Sequence, residues 1–343
     1  MIATRMPVRV AIAAFPLVTT GWPEGERPAN GVRTGRTPLP SVRRDRQRGR
    51  MAPPGHHCDH PASGGDVPTD TLRLGADLTV TTLCDAAGSF PEPLEDAFPD
   101  AGNTGRWPMH VHCHLVRTPT RTVLVDAGVG PEWAPAGEWF GRPGRLPEEL
   151  AALGVDPSEI TDVILTHLHP DHIGWVVADE DAPKPYFANA RHVVQNAELK
   201  WLRDSGEEYE ELYESHIKPL MDAQLLVEVT GAATLDERLD LVLAPGHTPG
   251  HQCLLVDAPD RPLLITGDAF VHRGQMTSAG LAYRYEEGTE DAAKTRRRLL
   301  SVAAERGVLL APCHLDEGVV LVESASEDSF RTTAMARCPN TVA

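Results

Sequence analysis

The sequence predicts an α/β fold for the body of the chain, beginning near residue 70. Short apolar runs rich in Val, Leu, Ile and Thr recur there with the length of β-strands. Polar stretches of helical character separate them, notably Glu198–Met221 and Asp291–Glu305. Four of the apolar runs end in His or Asp, which indicates a site assembled at strand ends.

The strand-like runs follow one another at short intervals, without a repeat of fixed period. A turn at 118–121 joins two of them into a hairpin, and a short helix over Pro147–Leu153 begins with Pro. Residues beyond about Glu323 are polar, and we expect them to be frayed. The predicted strands are Leu72–Leu83, His110–Val116, Thr122–Val125, Thr161–Thr166, Arg191–Gln195, Leu225–Val229, Leu239–Ala244, His251–Val256, Pro262–Thr266 and Val308–Ala311.

The first 50 residues differ from the rest in charge and composition. They hold ten Arg and no Lys against three acidic residues, a net of +7, so the other 293 residues carry −24 of the total of −17. Because the start of the chain is also rich in Pro and Gly, we predict a disordered extension over residues 1–68. A catalytic domain is expected over 69–325, and a polar tail over 326–343.

The charge and the cysteines exclude several classes of protein. An acidic body argues against nucleic acid or an anionic membrane as the partner. The apolar stretch Val8–Val18 is too short to span a membrane and precedes no cleavage pattern, so we expect a cytoplasmic protein. The six Cys form no Cys-x-x-Cys pair, which favours a reducing compartment. The group His56, His57, Cys58 and His60 lacks a second ligand pair and is interpreted as incidental.

The densest group of metal-competent side chains is the run Thr-His-Leu-His-Pro-Asp-His at 166–172. It directly follows an apolar strand, which would hold the run rigidly while its side chains reach into a cleft. His167 and His169, two residues apart on a tight loop, can converge on one ion. Asp171 and His172 point elsewhere and can serve a second ion.

Three later strands end in further candidate ligands. Zinc prefers imidazole and carboxylate ligands, and catalytic zinc keeps one position open for water. Cys313, which precedes the last of these ligands, is interpreted as a small buried side chain rather than a ligand or nucleophile. The three ligands are His247 in Ala-Pro-Gly-His, Asp268 in Ile-Thr-Gly-Asp and His314 in Ala-Pro-Cys-His.

In order and spacing these residues resemble the five motifs of the metallo-β-lactamase superfamily, over roughly residues 70–325. The resemblance implies the αββα fold, a four-layer sandwich in which two mixed sheets lie between outer helices, with the site at one edge. It also implies two divalent metal ions as cofactor, for which zinc is favoured. The matching residues are Asp126, the His-x-His-x-Asp-His run at 167–172, His247, Asp268 and His314.

The resemblance also implies a role for each motif residue. Asp268 would bridge the two ions, and Asp126 would brace the ligand loop by hydrogen bonds. A hydroxide shared by the ions would attack the substrate, while Asp171 orients it and passes its proton to the leaving group. The ligand sets would be His167, His169 and His247 for one ion, and Asp171, His172 and His314 for the other.

Within the superfamily the chain resembles the branch of acyl-homoserine lactonases and methyl parathion hydrolase. The stretches that carry this resemblance include Leu-Thr-His-Leu-His-Pro-Asp-His-Ile-Gly and Gly-Asp-Ala-Phe-Val-His-Arg-Gly-Gln. The branch implies hydrolysis of an ester, lactone or phosphotriester of a small molecule, by an enzyme that is often a homodimer. Its lactonases often carry a Tyr shortly after the bridging Asp, where this chain has Phe270 and His272.

Other aromatic residues and histidines have two readings each. Trp133 and Trp139 follow the Asp126 strand end, so with Phe270 and His272 they could line a substrate pocket or simply pack under a long loop. His110, His112 and His114 alternate along one strand and share a face that could meet the cleft; they are interpreted as edge-strand residues facing water.

Four alternative kinds of function share the fold that the resemblance implies: thioester hydrolysis, redox chemistry, nuclease activity and non-catalytic binding. A glyoxalase II-like thioester hydrolase has all the motifs but adds a basic C-terminal helical region. A persulfide dioxygenase uses a single iron with far fewer ligands, and a flavodiiron protein has Glu in the place of His169. Nucleases of the fold carry basic surfaces. A non-catalytic binding protein would have lost ligands, and none is lost here.

Overall fold

The computed structural model describes residues 71–258, 261–326 and 329–338. Within these ranges, fourteen strands form two seven-stranded sheets, each taking its strands in order of sequence. The first sheet contains β1 Thr71–Arg73, β2 Thr79–Ser89, β3 Pro108–Arg117, β4 Thr122–Val125, β5 Asp162–Ile164, β6 Arg191–Gln195 and β7 Leu226–Val229. The second contains β8 Ala233–Asp236, β9 Leu239–Leu243, β10 Gln252–Val256, β11 Leu263–Gly267, β12 Leu309–Pro312, β13 Val319–Ser326 and β14 Ser329–Ala336.

Both sheets are mixed. Strands β4 to β7 pair in parallel, as do β11 and β12, and the remaining neighbours pair antiparallel. The parallel pairs need crossover segments, which carry all of the α-helices but the first; the first lies in the long connection between the antiparallel strands β2 and β3. The helices are α1 Leu94–Ala97, α2 Leu146–Ala152, α3 Pro170–Ile173, α4 Asn196–Asp204, α5 Glu207–Leu212, α6 Lys218–Asp222, α7 Arg273–Thr277 and α8 Thr289–Arg306.

Three layers of buried apolar side chains account for the stacking. A central layer, with Ile164 from the first sheet and Leu254 from the second, fills the space between the two sheets. On the outer face of the first sheet, Leu150 and Leu202 belong to helices that cover it. On the outer face of the second, Leu299 of α8 packs beside strand residues. The predicted αββα sandwich is therefore confirmed.

The C-terminal segment is more ordered than its polar composition indicates. The expectation of a frayed end beyond Glu323 is wrong, because β13 and β14 form an antiparallel hairpin. Phe330 from this hairpin is buried in the core of the second sheet, so one apolar side chain anchors an otherwise polar strand. The domain boundary drawn at residue 325 stays a prediction.

The interpretation of three strand histidines as edge residues facing water is also wrong. They are His110, His112 and His114, and each is at most 4% exposed. Strand β3 lies inside the sheet, because β2 pairs with its whole length and β4 with its second half. The predicted N-terminal extension and its His/Cys group lie outside the described residues. None of the described helices combines the length and hydropathy that crossing a bilayer requires.

Candidate metal centre

Parallel pairing explains why the histidine run stands at the edge of the sandwich. Strand β5 is short and lies between β4 and β6, so its carboxyl end opens into the loop that begins at Thr166. Helix α3 then starts with Pro170 and carries two candidate ligands in its single turn. Pro at the first helical position fixes the backbone without the loss of a hydrogen bond, which keeps this turn in place.

Asp126 holds the ligand loop from behind. Its backbone is in the left-handed region, with φ of 61°. One carboxylate oxygen accepts from the backbone N–H of Thr166 at 2.8 Å, and the other accepts from the Thr166 hydroxyl at 2.9 Å. The second oxygen also accepts from Nδ1 of His172 at 2.8 Å, which leaves Nε2 of that ring directed at the site.

A first group of donors contains three imidazoles and a carboxylate, with ligand atoms all within 4.8 Å of one another. Nδ1 of His169 lies 3.0 Å from Nε2 of His167 and 2.9 Å from Nε2 of His247. Oδ2 of Asp268 lies 3.3 Å from Nε2 of His247 and 3.8 Å from Nε2 of His167. Strand β5, the loop after β9 and the end of β11 therefore meet here.

A second group of donors lies on the other side of the same aspartate. Oδ1 of Asp268 is 3.0 Å from Nε2 of His314 and 3.3 Å from Nε2 of His172. Oδ2 of Asp171 is 3.5 Å from Nε2 of His314 and 3.7 Å from Nε2 of His172. Oδ2 of Asp268, which faces the first group, also lies 3.1 Å from Nε2 of His314, so both groups share this carboxylate.

The electrostatics of the two groups differ. Burial lowers the pKa of all three histidines in the first group, that of His169 to about 3, so these rings are neutral with their lone pairs available. Burial also opposes charge on His172 and His314, but the carboxylates of Asp268 and Asp171 raise both pKa values above the ordinary value. A metal ion bound at such a site would take the place of the protons on His172 and His314 as the charge that compensates these carboxylates.

The residues fit a pair of divalent ions. Nε2 of His172 is buried with no hydrogen-bond partner in the described part of the chain, although it is directed at two carboxylates. Burying uncharged imidazoles beside carboxylates without a cation destabilises the folded state, because each buried polar atom without a partner costs free energy. Imidazole and carboxylate together suit zinc or a neighbouring transition metal.

The structure adds two residues behind the site that sequence reasoning missed. Glu198 of α4 is fully buried, and its two oxygens accept from the backbone N–H groups of Leu168 and Gly250 at 3.1 and 2.9 Å. It therefore joins the two loops that supply the first group. Nε2 of His251 accepts from the backbone N–H of Asp268 at 3.0 Å and fixes that ligand's main chain. The second His in Pro-Gly-His-Thr-Pro-Gly-His was a signal for this role.

Tyr283 is a third residue missed from the sequence. Its ring stacks on that of His247, with centroids 5.9 Å apart and planes 5° apart, and it stacks on Phe98 at 4.8 Å. Burial raises its pKa well above the usual value, and the carboxylates of Asp268 and Asp171 raise it further. Tyr283 lies in the irregular loop after α7, where no periodicity indicates a role.

The four residues expected at a substrate pocket have different settings. Phe270 is 0% exposed within the core of the second sheet, and this placement does not support a pocket role. Trp133 is half-buried, and its indole N–H donates to the Ala178 carbonyl at 3.1 Å. Trp139 packs edge-on against Phe90. His272 caps α7 through Nδ1, and its ring lies 5.0 Å from that of Phe98.

Cys313 lies beside the second group. Its thiol donates to the carbonyl of His112 at 3.1 Å, and its sulfur is 4.0 Å from Nδ1 of His172, which is already engaged by Asp126. Burial raises the pKa of this thiol to about 12, so the thiolate that attacks or binds metal is disfavoured. A structural role agrees with these contacts.

A surface cavity of about 470 Å³ lies away from these groups. Thr120 and Arg191 on its wall stand where β4 and β6 begin, whereas the ligand loops follow the carboxyl ends of the strands. Arg121 and Arg191 both pair with buried Asp162, and Arg121 also lies 3.4 Å from Asp236, so two carboxylates balance the two charges.

The fold and the donor groups together define a class, the four-layer α/β sandwiches that gather His and Asp ligands at one edge. The model of the metallo-beta-lactamase superfamily matches residues 106–314. The chain belongs to this superfamily, as a metal-dependent hydrolase related to N-acyl homoserine lactonases.

The relatives that match are distant. The N-acyl homoserine lactonase AttM of Rhizobium radiobacter is 30% identical over 194 residues, 49% of this chain and 68% of the relative. AttM of Azorhizobium caulinodans is 27% identical over 250 residues, 66% of this chain and 90% of the relative. The structure of AidC, described as a dizinc quorum-quenching lactonase in complex with a product, aligns with a TM-score of 0.66 at 22% identity, over 78% of this chain and 97% of that one.

Proposed function

We propose that the chain hydrolyses a lactone or another carboxylic ester of a small molecule, at a centre that holds two divalent metal ions. The observation that carries the proposal is Asp268, whose two oxygens face two separate groups of buried donors. A carboxylate in this position can bridge two cations, and a dinuclear centre suits hydrolysis without a protein nucleophile.

The ligand assignment follows from the two groups. His167, His169 and His247 would hold one ion. Asp171, His172 and His314 would hold the other, with Asp268 between them. When bound, the ions would polarise the scissile carbonyl and lower the pKa of a shared water to about 7. We propose zinc because imidazole dominates the set.

Asp171 supports the proton transfer that ester cleavage requires. It is only 4% exposed, and burial raises the pKa of its carboxyl above the usual value. A carboxyl with a raised pKa can accept a proton from the attacking water and return it to the leaving alkoxide. Its Oδ2 lies 3.5 Å from Nε2 of His314 in the second donor group, which supports a role in proton transfer at that group.

Tyr283 supports the binding of the carbonyl group. Its hydroxyl is kept protonated by burial and by the carboxylates of Asp268 and Asp171, so it can donate a hydrogen bond to an oxygen on which negative charge develops. Tyr283 would therefore supply the phenol that the resembling lactonases often carry shortly after the bridging Asp, where this chain has Phe270 and His272. The buried rings of Phe98 and Trp107 contact the Tyr283 ring and hold it in place.

The experiment that tests the proposal pairs metal analysis with a substrate panel. The purified chain should contain two divalent ions at the donor groups, seen as two peaks about Asp268 in an anomalous difference map. It should open γ- and δ-lactones or cleave aryl esters faster than it cleaves a phosphotriester or a glutathione thioester. A single iron without hydrolysis would overturn the proposal, and a preference for the thioester or the phosphotriester would replace its substrate class.

A further inference from the structure

Two cysteines and two histidines form a separate buried group of potential ligands, here called the Cys/His cluster. Its ligand atoms all lie within 4.8 Å of one another. No residue of the cluster belongs to either donor group at Asp268. The members are Cys84, His110, His112 and Cys338.

The sheet places three of these side chains on one face. Cys84 is directly opposite His112 in the β2–β3 ladder, and residues opposite each other in an antiparallel pair share a face. His110 is two residues from His112 on the same strand and therefore also shares that face. A bulge in β2 between Cys84 and Ala86 adjusts the strand at this point.

The fourth side chain comes from the far end of the chain. Cys338 follows β14, and its backbone N–H donates to the carbonyl of Asp316 at 2.8 Å, so the end of the C-terminal hairpin is held next to β3. The ligand atom of Cys338 lies within 4.8 Å of those of Cys84, His110 and His112.

One imidazole of the cluster is buried, and its two polar atoms find no oxygen or nitrogen partner among the described residues. His112 is 1% exposed, and neither of its ring nitrogens hydrogen-bonds to an oxygen or nitrogen in the described part of the chain. Sγ of Cys84 lies 3.7 Å from Nδ1 of His110. In a tetrahedral zinc site with bonds of about 2.0–2.3 Å, neighbouring ligand atoms are about 3.4–3.8 Å apart, so this pair already has the required spacing.

We propose that the Cys/His cluster is a structural zinc site that ties the C-terminal hairpin to the first sheet. Four protein ligands complete the tetrahedral shell, so the ion has no open position for substrate and differs in this from a catalytic centre. Two thiolates and two imidazoles form a set that selects zinc over Mg²⁺ or Ca²⁺.

The proposed site also supports the catalytic edge. The carbonyl of His110 accepts from Nδ1 of His314 at 2.7 Å, which fixes the ring orientation of that ligand. The backbone N–H of His112 donates to the carbonyl of Cys313 at 3.0 Å. An ion bound to the side chains of β3 would therefore stiffen the backbone that positions His314.

Cobalt spectroscopy separates this site from the centre at Asp268. In the cobalt-loaded wild-type chain, thiolate ligation gives a near-ultraviolet charge-transfer band, which imidazole and carboxylate ligands do not give. We expect Cys84→Ser and Cys338→Ser each to lose the band and about one metal equivalent per chain. Matched Cys253→Ser and Cys313→Ser variants should keep it, and so should Asp268→Ala, which removes the bridging ligand of the other centre.

The wild-type spectrum decides the question even if a cluster variant does not fold. Absence of the band in the wild type would overturn the proposal. Detection of a Cys84–Cys338 disulfide in the as-purified chain, by mass spectrometry after alkylation, would also overturn it. As a second readout, hydrogen exchange over 329–336 should rise in Cys338→Ser and stay unchanged in Cys253→Ser.

Discussion

Two histidine-rich regions of this chain have different surroundings. The strand-end cluster (the two donor groups around Asp268) lies on loops that leave the sheets, where side chains from β5, β9, β11 and β12 converge. The Cys/His cluster lies within a ladder, and its histidines are flanked by strand β2 and by the segment at Cys313. Residues on loops can offer an open coordination position, whereas residues inside a ladder enclose whatever they bind.

Asp268→Ala should have the largest effect, because it changes the strand-end cluster and leaves the Cys/His cluster intact. Without the bridging carboxylate, the histidines of both donor groups lose their shared anion, so we expect loss of both ions and of ester hydrolysis. Metal analysis and kcat measure this. The control is Asp240→Ala in the same sheet, where the carboxylate accepts from the Thr234 hydroxyl at 2.6 Å. An unchanged kcat in Asp268→Ala would refute the dinuclear centre.

A smaller effect is expected from Tyr283→Phe. The loss of one hydrogen bond to the developing oxyanion should lower kcat on the order of 10²-fold, with metal content unchanged. Tyr285→Phe is the matched control, because the centroid of the Tyr285 ring lies 5.4 Å from that of Tyr283 and the substitution likewise removes one phenol hydroxyl. Equal losses in the two variants would indicate a packing role for Tyr283.

Asp126→Asn tests how the ligand loop is braced. The NH2 group that replaces one carboxylate oxygen cannot accept. Either the Thr166 N–H therefore loses its acceptor, or the Thr166 hydroxyl and Nδ1 of His172 lose theirs. We expect metal affinity or activity to fall about 10–100-fold, as is typical of residues behind metal ligands. Isothermal titration of the metal-free variant measures the affinity. Wild-type affinity in this variant would show that Asp126 is dispensable, and Asp156→Asn on the surface is the control.

Glu198 links the stability of the metal-free chain to pH. Burial raises the pKa of its carboxyl from 4.5 to about 7, so the folded state binds more protons than the unfolded state between these values. The contribution of Glu198 to the free energy of unfolding is therefore full below pH 4.5 and falls as pH rises to 7.

Glu198→Gln should reduce that pH dependence and cost about 1–3 kcal/mol, because one backbone N–H loses its acceptor. Urea unfolding of the chelated chain at several pH values measures both quantities. The exposed Glu305→Gln on α8 is the control. If the free energy of unfolding of Glu198→Gln depends on pH as that of the wild type does, Glu198 is not the group responsible.

Sequence reasoning was most effective where the ligands are close together in the chain. The run 167–172 contributes four donors within six residues, and its position after an apolar strand indicated both the fold and the site. The burial of His110 and His112 was misjudged because they lie next to Cys84 and Cys338, which are far away in the sequence. Tyr283 was missed because it reaches the site from an irregular loop, which carries no periodic signal.

The measurement that tests the central claim most directly is a zinc titration of the metal-depleted chain while lactone opening is followed. We predict no turnover above the Asp268→Ala variant without metal, and full turnover only when both donor groups around Asp268 are filled. Turnover of the same size in the metal-depleted and the reconstituted chain would contradict the account.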